Sequence, residues 1–209
     1  MNDSFLASDK TIPCFLRDHA DWHGGVSHYG FWAVLVDNDE WLGLLHEARL
    51  HMVRFIHPGY RRGPHITLAA CGLISEHHFS SEDLKRQSAA LSEAGVAPFA
   101  LGTAGLDSFE SAPYLAVEDP SGSLARIRSA LTAVSGEDNS PARYRPHVTL
   151  GLYNGAFDTK QVARHLEEFR HGPIDPLRVT ELAFCAYETK DIQGPFEVIM
   201  RVGLEAGGE

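Results

Sequence analysis

The string Pro-His-x-Thr-Leu stands twice in this chain, as Pro64-His65-Ile66-Thr67-Leu68 and as Pro146-His147-Val148-Thr149-Leu150. With 12 His, 11 Pro, 8 Thr and 22 Leu among 209 residues, a shuffled chain would hold it roughly 0.0025 times, so two copies are not an accident. Each copy also closes the same sequence of patterns. A strand at 29–36 and a helix at 39–52 precede the first, and a strand at 113–118 and a helix at 121–134 precede the second. The histidines lie 147 − 65 = 82 residues apart, longer than any solenoid period. The repeat therefore predicts two similar lobes facing each other.

Strand and helix patterns alternate throughout, which is an α+β order. Residues 29–36 (YGFWAVLV) read as a buried strand, and Trp41, Leu44, Leu45, Ala48 and Met52 recur at helical spacing. Residues 64–73 read as a strand entered by a Pro, which a strand tolerates at its first position. A helix over 81–94 opens with Ser and acidic residues and stops at Gly95. Further strands are expected at 97–106, 146–153, 176–188 and 195–204, with a helix at 158–170. Residues 28–204 read as one bilobal domain, the lobes meeting near 107–112, where LDSFES breaks the apolar pattern. Residues 1–27 form an N-terminal extension, a flap over the cleft or a cover for a sheet edge. Its Asp18, His19, His23 and the adjoining His28 lack a recognised metal-ligand spacing.

Composition narrows the partners. The net charge of −10 works against a long polyanion, because phosphate neutralisation supplies most of that affinity, but leaves room for a small nucleotide in a local pocket. No apolar run approaches the roughly 20 residues that span a bilayer, and the start MNDSFLASDKTIP lacks a secretory signal's order. A cytoplasmic protein without membrane contact is the expectation. Cys14, Cys71 and Cys185 are odd in number and widely spaced, which suggests neither disulfides nor a thiolate zinc site.

Along a strand, His65 and Thr67 point to one face while Ile66 and Leu68 point to the other, and His147 and Thr149 alternate likewise with Val148 and Leu150. A single such copy can simply be a polar strand face; two copies in a repeat point to a shared cleft. Two His–Thr pairs related by a pseudo-twofold can flank one phosphorus. In-line displacement needs a base on the attacking oxygen and an acid opposite it on the leaving oxygen, and imidazole suits both roles near neutrality. The threonine hydroxyls can donate to the non-bridging oxygens. No metal or other cofactor is required by this scheme.

The doubled Pro-His-hydrophobic-Thr-hydrophobic string resembles the two-histidine (2H) phosphoesterase superfamily, over residues 28 to 204. The resemblance implies two lobes of antiparallel sheet with outer helices around a central cleft that bears both motifs. Within the superfamily, the strand Tyr29-Gly-Phe-Trp32-Ala, the tyrosine at 153 after the second motif and the segment ThrGluLeuAlaPheCysAlaTyrGluThrLys are similar to the small cyclic phosphodiesterases. That likeness implies His65 and His147 as catalytic residues, and Thr67, Thr149, Tyr153 and Trp32 as substrate-binding residues. Tyr29, Arg61, Arg62 and Arg145 could hold phosphate or ribose, but a solvated surface role is the expectation for each. The expected activity is metal-independent hydrolysis of a cyclic-phosphate nucleotide, of 2′,3′-cyclic or ADP-ribose cyclic phosphate type, by a His/His acid–base pair. The partner is then a small nucleotide or a short RNA end. The competing readings are 2′-5′ RNA ligation or RNA-end processing, a nucleotide-binding module without turnover, and a metal-dependent hydrolase.

Overall fold

A computed structural model describes residues 3–135 and 144–205. Eight strands form one sheet: β1 (His28–Leu35), β2 (His65–Leu73), β3 (Phe99–Ser108), β4 (Pro113–Glu118), β5 (His147–Thr149), β6 (Leu177–Val179), β7 (Glu181–Glu188) and β8 (Phe196–Gly203). Their order is β6-β3-β4-β5-β2-β1-β7-β8, and every recorded pairing is antiparallel. Outward from the central β2–β5 junction the sheet reads β2-β1-β7-β8 on one side and β5-β4-β3-β6 on the other. These are the two lobes that the repeated motif predicts, fused into a continuous sheet. Strands β6 and β7 are separated only by Thr180 yet stand near opposite ends of the sheet, so the sheet must curl back on itself.

Two boundaries differ from the expectation. Residues 107–112 do not join the lobes: Ser108 pairs with Pro113, so this stretch is the β3–β4 turn, and Phe109 N–H donates to Ala112 O. The chain crosses between lobes on either side of that turn, once between the helix Ser81–Glu93 and β3 and once at Thr180. Residues 176–188, read as one strand, are therefore two. A residue-by-residue apolar pattern cannot register the break, because β6 buries Leu177 and Val179 and β7 continues the apolar run with Leu182 to Ala186 buried.

The helices α3 (Asp39–His51), α4 (Ser81–Glu93), α5 (Ser123–Val134) and α6 (Thr159–Glu168) all pack on one face of the sheet, and their buried side chains share a single core with Trp32, Ile66, Leu68, Val148 and Leu150. Their starts follow from local chemistry. The Asn38 side chain accepts from Glu40 N–H and Trp41 N–H, Ser80 and Asp83 cap α4 reciprocally, and Asp158 accepts from Gln161 N–H. Full burial of a Leu or Ile such as Leu68 or Ile66 is worth about 1.5–3 kcal/mol each, so the apolar half of each motif strand is what clamps the sheet to the helices. The opposite face carries a small apolar cluster of Phe31, Ala33, Ala183 and Cys185, edged by Leu35, Tyr187 and Phe196. That face is the floor of the cleft.

Across its described residues, the N-terminal extension is anchored to the domain at several points. It forms two short helices, α1 (Asp3–Ala7) and α2 (Ala20–His23). Phe5 is buried in the core, and Thr11 N–H, Ile12 N–H and Cys14 N–H donate to Phe157, Glu110 and Tyr153 carbonyls. None of the three cysteines forms a disulfide among the described residues, and Cys71 and Cys185 are buried. Among the described residues, no helix is long and apolar enough to cross a membrane.

Candidate active site

The β2–β5 junction places Ile66 opposite Val148, both fully buried on the helix side. In an antiparallel pair the flanking positions then oppose His65 to Thr149 and Thr67 to His147, all four on the cleft face. Directly opposed residues stand about 4.5–5.5 Å apart at Cβ, and diagonal neighbours about 7–8 Å. The two imidazoles are diagonal neighbours, each facing the other motif's threonine. Neither threonine hydroxyl is engaged in a recorded hydrogen bond among the described residues, which leaves both available to a ligand.

The two histidines are held in the same way. His65 Nδ1 lies 2.8 Å from Gly63 O, and His147 Nδ1 lies 2.7 Å from Arg145 O, the carbonyl two residues upstream in each case. A carbonyl can only accept, so Nδ1 carries the proton and Nε2 is the free lone pair of the neutral ring. The prolines that open the motifs also act alike: Val36 N–H donates to Pro64 O and Val117 N–H to Pro146 O. Each imidazole sits between two aromatic rings. Phe31 and Phe196 flank His65 at centroid distances of 5.1 and 5.2 Å, and Phe109 and Tyr114 flank His147 at 4.8 and 5.1 Å.

These surroundings shift both rings toward the neutral form. Burial depresses His65 to about 4, the Arg62 guanidinium and His147 add to the depression, and the Gly63 carbonyl opposes it. Burial also lowers His147, against the opposing bond to Arg145 O, but no cation contributes there. The charge of Arg62 is thus one difference between the two sites.

Two residues expected at the cleft are elsewhere. Trp32 is fully buried on the helix face, where its Nε1–H donates to Gln87 Oε1 at 2.8 Å. The aromatic side chain that β1 presents to the cleft is its neighbour Phe31, because adjacent strand residues point to opposite faces. Tyr153 is also fully buried, and its hydroxyl shares a 2.6 Å hydrogen bond with Ser108 Oγ. The strand expected over 146–153 ends at Thr149, so the alternation of His147 and Thr149 does not extend to position 153.

Arg62 is not merely a solvated cation. Its guanidinium lies 3.7 Å over the Tyr187 ring, its Nε–H donates to Gly194 O, and among the described residues no carboxylate pairs with it. Arg49, at the end of α3, donates from Nε to Leu150 O at 3.1 Å, and its buried Nη2 has no hydrogen-bond partner among the described residues. Arg61, by contrast, is an exposed partner of Asp191. Among the described residues, no three His, Cys, Asp or Glu side chains come together as a metal-ligand set.

The family model of the 2′-5′ RNA ligase superfamily matches residues 38–191, which include both motifs. The chain belongs to the 2′-5′ RNA ligase superfamily. These are 2H phosphoesterases, enzymes of phosphoesterase and ligase type that act on phosphodiester bonds. No curated protein matches the chain significantly. Solved structures share the superfamily fold. E. coli LigT complexed with 3′-AMP aligns with a TM-score of 0.58 at 18% identity, covering 86% of this chain and 99% of that one. A Thermus thermophilus protein aligns at 0.54 and 17%, covering 86% and 100%, and a phosphoesterase at 0.52 and 17%, covering 85% and 99%.

Proposed function

We propose that this chain is a phosphodiesterase that opens a cyclic-phosphate nucleotide to a monoester without a metal, with His65 as base and His147 as acid. The observation that carries the reading is the pair of Nε2 lone pairs, each locked by its own i−2 carbonyl and placed diagonally across two threonine hydroxyls. A phosphate seated between them has an imidazole on either side and a hydroxyl donor from each strand.

The step balances with these groups alone. Water attacks phosphorus and yields its proton to His65 Nε2, while the bond to one ribose oxygen breaks and that oxygen takes a proton from His147 Nε2–H. The threonine hydroxyls, with any approach by Arg62, stabilise charge on the non-bridging oxygens. His65 takes the base role because burial and the Arg62 charge both resist its protonation. His147, with no neighbouring cation lowering it, more readily holds the proton that an anionic substrate draws in. A second reading is favoured by the matched family's own description: a hydroxyl of an RNA end in place of water would run the same geometry toward a 2′-5′ linkage.

The test is a panel of 2′,3′-cyclic mononucleotides, an ADP-ribose cyclic phosphate and 2′-5′-linked dinucleotides, with 2′- and 3′-monoester products resolved. The proposal expects one monoester isomer from the cyclic substrates. Formation of 2′-5′ linkages in preference to monoesters would establish the ligase reading, and binding without any turnover would establish a nucleotide-binding module instead.

A further inference from the structure

A second cavity of about 280 Å³ opens beside the cleft, lined by His19, Trp22, Arg62, Tyr187, Thr189 and Ile192. Two of these residues belong to the N-terminal extension, which lies before the segment matched by the superfamily. The cavity joins the catalytic face through a chain of ring contacts. Trp22 meets Tyr29 at 5.6 Å, Tyr29 stacks on Tyr187 at 5.4 Å, Tyr187 meets Phe31 at 5.9 Å, and Phe31 meets His65 at 5.1 Å.

The Trp22 wall is held from below. Gly25 N–H donates to His23 Nδ1, so Nε2 carries the proton and donates to Asp18 Oδ1 at 2.6 Å, and His23 is buried. Thr189 ties the following residues down, its hydroxyl donating to Val26 O at 2.7 Å. Trp22 itself stays 50% exposed, whereas the chain's other tryptophans, Trp32 and Trp41, are fully buried. An aromatic ring with a free face, fixed by a buried anchor, beside a guanidinium that no carboxylate neutralises among the described residues, suits a planar heterocycle attached to a phosphate. The volume is near the lower end of the roughly 300–1,000 Å³ of small-molecule sites, enough for one base with part of its sugar.

We propose that this cavity is the nucleobase subsite of the enzyme, with Trp22 stacking on the base and Arg62 directing the attached phosphate toward His65. The proposal rests on the phosphodiesterase reading and deepens it: the substrate carries an aromatic base, and the extension supplies part of its recognition. A bare sugar cyclic phosphate would leave the cavity unused.

Trp22 is its own reporter, because only its ring among the three tryptophans can meet a ligand. Adenosine 3′-monophosphate should quench its fluorescence, and inorganic phosphate should not. Trp22→Leu should abolish the quench and weaken adenosine 3′-monophosphate binding by calorimetry roughly 10-fold, within the range of one lost base stack, while phosphate binding stays unchanged. Trp22→Tyr should restore most of the affinity. Equal affinity of wild type and Trp22→Leu for the nucleotide, or equal weakening toward nucleotide and phosphate, would overturn the subsite. The two readings fail separately. Turnover of 2′,3′-cyclic AMP with a KM indifferent to Trp22→Leu removes the subsite and leaves the phosphodiesterase. Base-dependent quenching without turnover of any cyclic nucleotide keeps the subsite and removes the phosphodiesterase.

Discussion

Replacing Phe196 by Ala should raise the proton affinity of His65 and move the acid limb of the rate profile upward in pH. His65 is depressed from 6.5 to about 4 chiefly by burial, and Phe196 is one of the two rings that shield it, 5.2 Å away and edge-on. The full depression of 6.5 − 4 = 2.5 pH units corresponds to about 3 kcal/mol at 1.36 kcal/mol per unit. Removing one of two shielding rings while Phe31 and Arg62 remain should recover roughly one pH unit of it. The sign follows from the charged form: water admitted beside the ring favours the imidazolium, so the value rises. In the free enzyme the base must be neutral, so log kcat/KM should climb through about 4 in the wild type and about one unit higher in Phe196→Ala. His147 must be protonated, so the rate should fall again above its own value, itself held below the ordinary histidine range; the optimum is therefore acidic. Linkage gives the same sign for stability. The unfolded chain binds the His65 proton more tightly, so that contribution is complete above pH 6.5 and is lost as pH falls toward 4. NMR titration of the His65 ring together with the rate profile checks this. A wild-type value at or above 6.5, or an unmoved value in a folded Phe196→Ala protein, would refute the reasoning.

Three further outcomes follow from the same geometry. Thr67→Val and Thr149→Val keep shape but remove a donor, so each should lower kcat by about 10²–10³-fold in steady-state assays, and full activity in the double variant would take the hydroxyls out of the site. Tyr153→Phe removes the 2.6 Å hydrogen bond between the Tyr153 hydroxyl and Ser108 Oγ, which still donates to Phe109 O, so thermal or urea unfolding should show a loss of about 1 kcal/mol, while KM for a cyclic nucleotide stays the same. Saturating EDTA should leave the rate and its pH profile unchanged, because the proton transfers and charge stabilisation are assigned to imidazoles and hydroxyls; a loss restored by zinc or manganese would contradict that.

The cleft's polar set was legible in the sequence because strand alternation is a local rule. His65 and Thr67 cannot share a strand without sharing a face, and the repeat supplied the partner strand. The helix over 81–94 was legible for a similar reason, since its Ser and acidic opening is the reciprocal cap of Ser80 and Asp83. What failed needed information from across the fold. Trp32 and Phe31 are adjacent aromatics in one apolar strand, and only the position of the helices decides which is core. Tyr153 is six residues past His147, but alternation ends where β5 loses its neighbours at Thr149. Arg62 looked like one of three surface arginines, and what separates it from Arg61 is a carboxylate, Asp191, some 130 residues away. The curl that brings β6 and β7 to opposite ends of the sheet turns on Thr180, a residue with no local turn signal.

The central claim is that His65 and His147 act on opposite sides of one phosphate. Its most direct test is a double-mutant cycle on turnover of a 2′,3′-cyclic nucleotide, with wild type, His65→Ala, His147→Ala and the double variant compared at the wild-type optimum. Each single change should cost about 10²–10⁴-fold, and the double variant should be little worse than the weaker single, because a transfer missing one proton partner gains little from the other. Losses that multiply would place the two histidines in separate events, and persistence of catalysis in the double variant would put the chemistry on other residues.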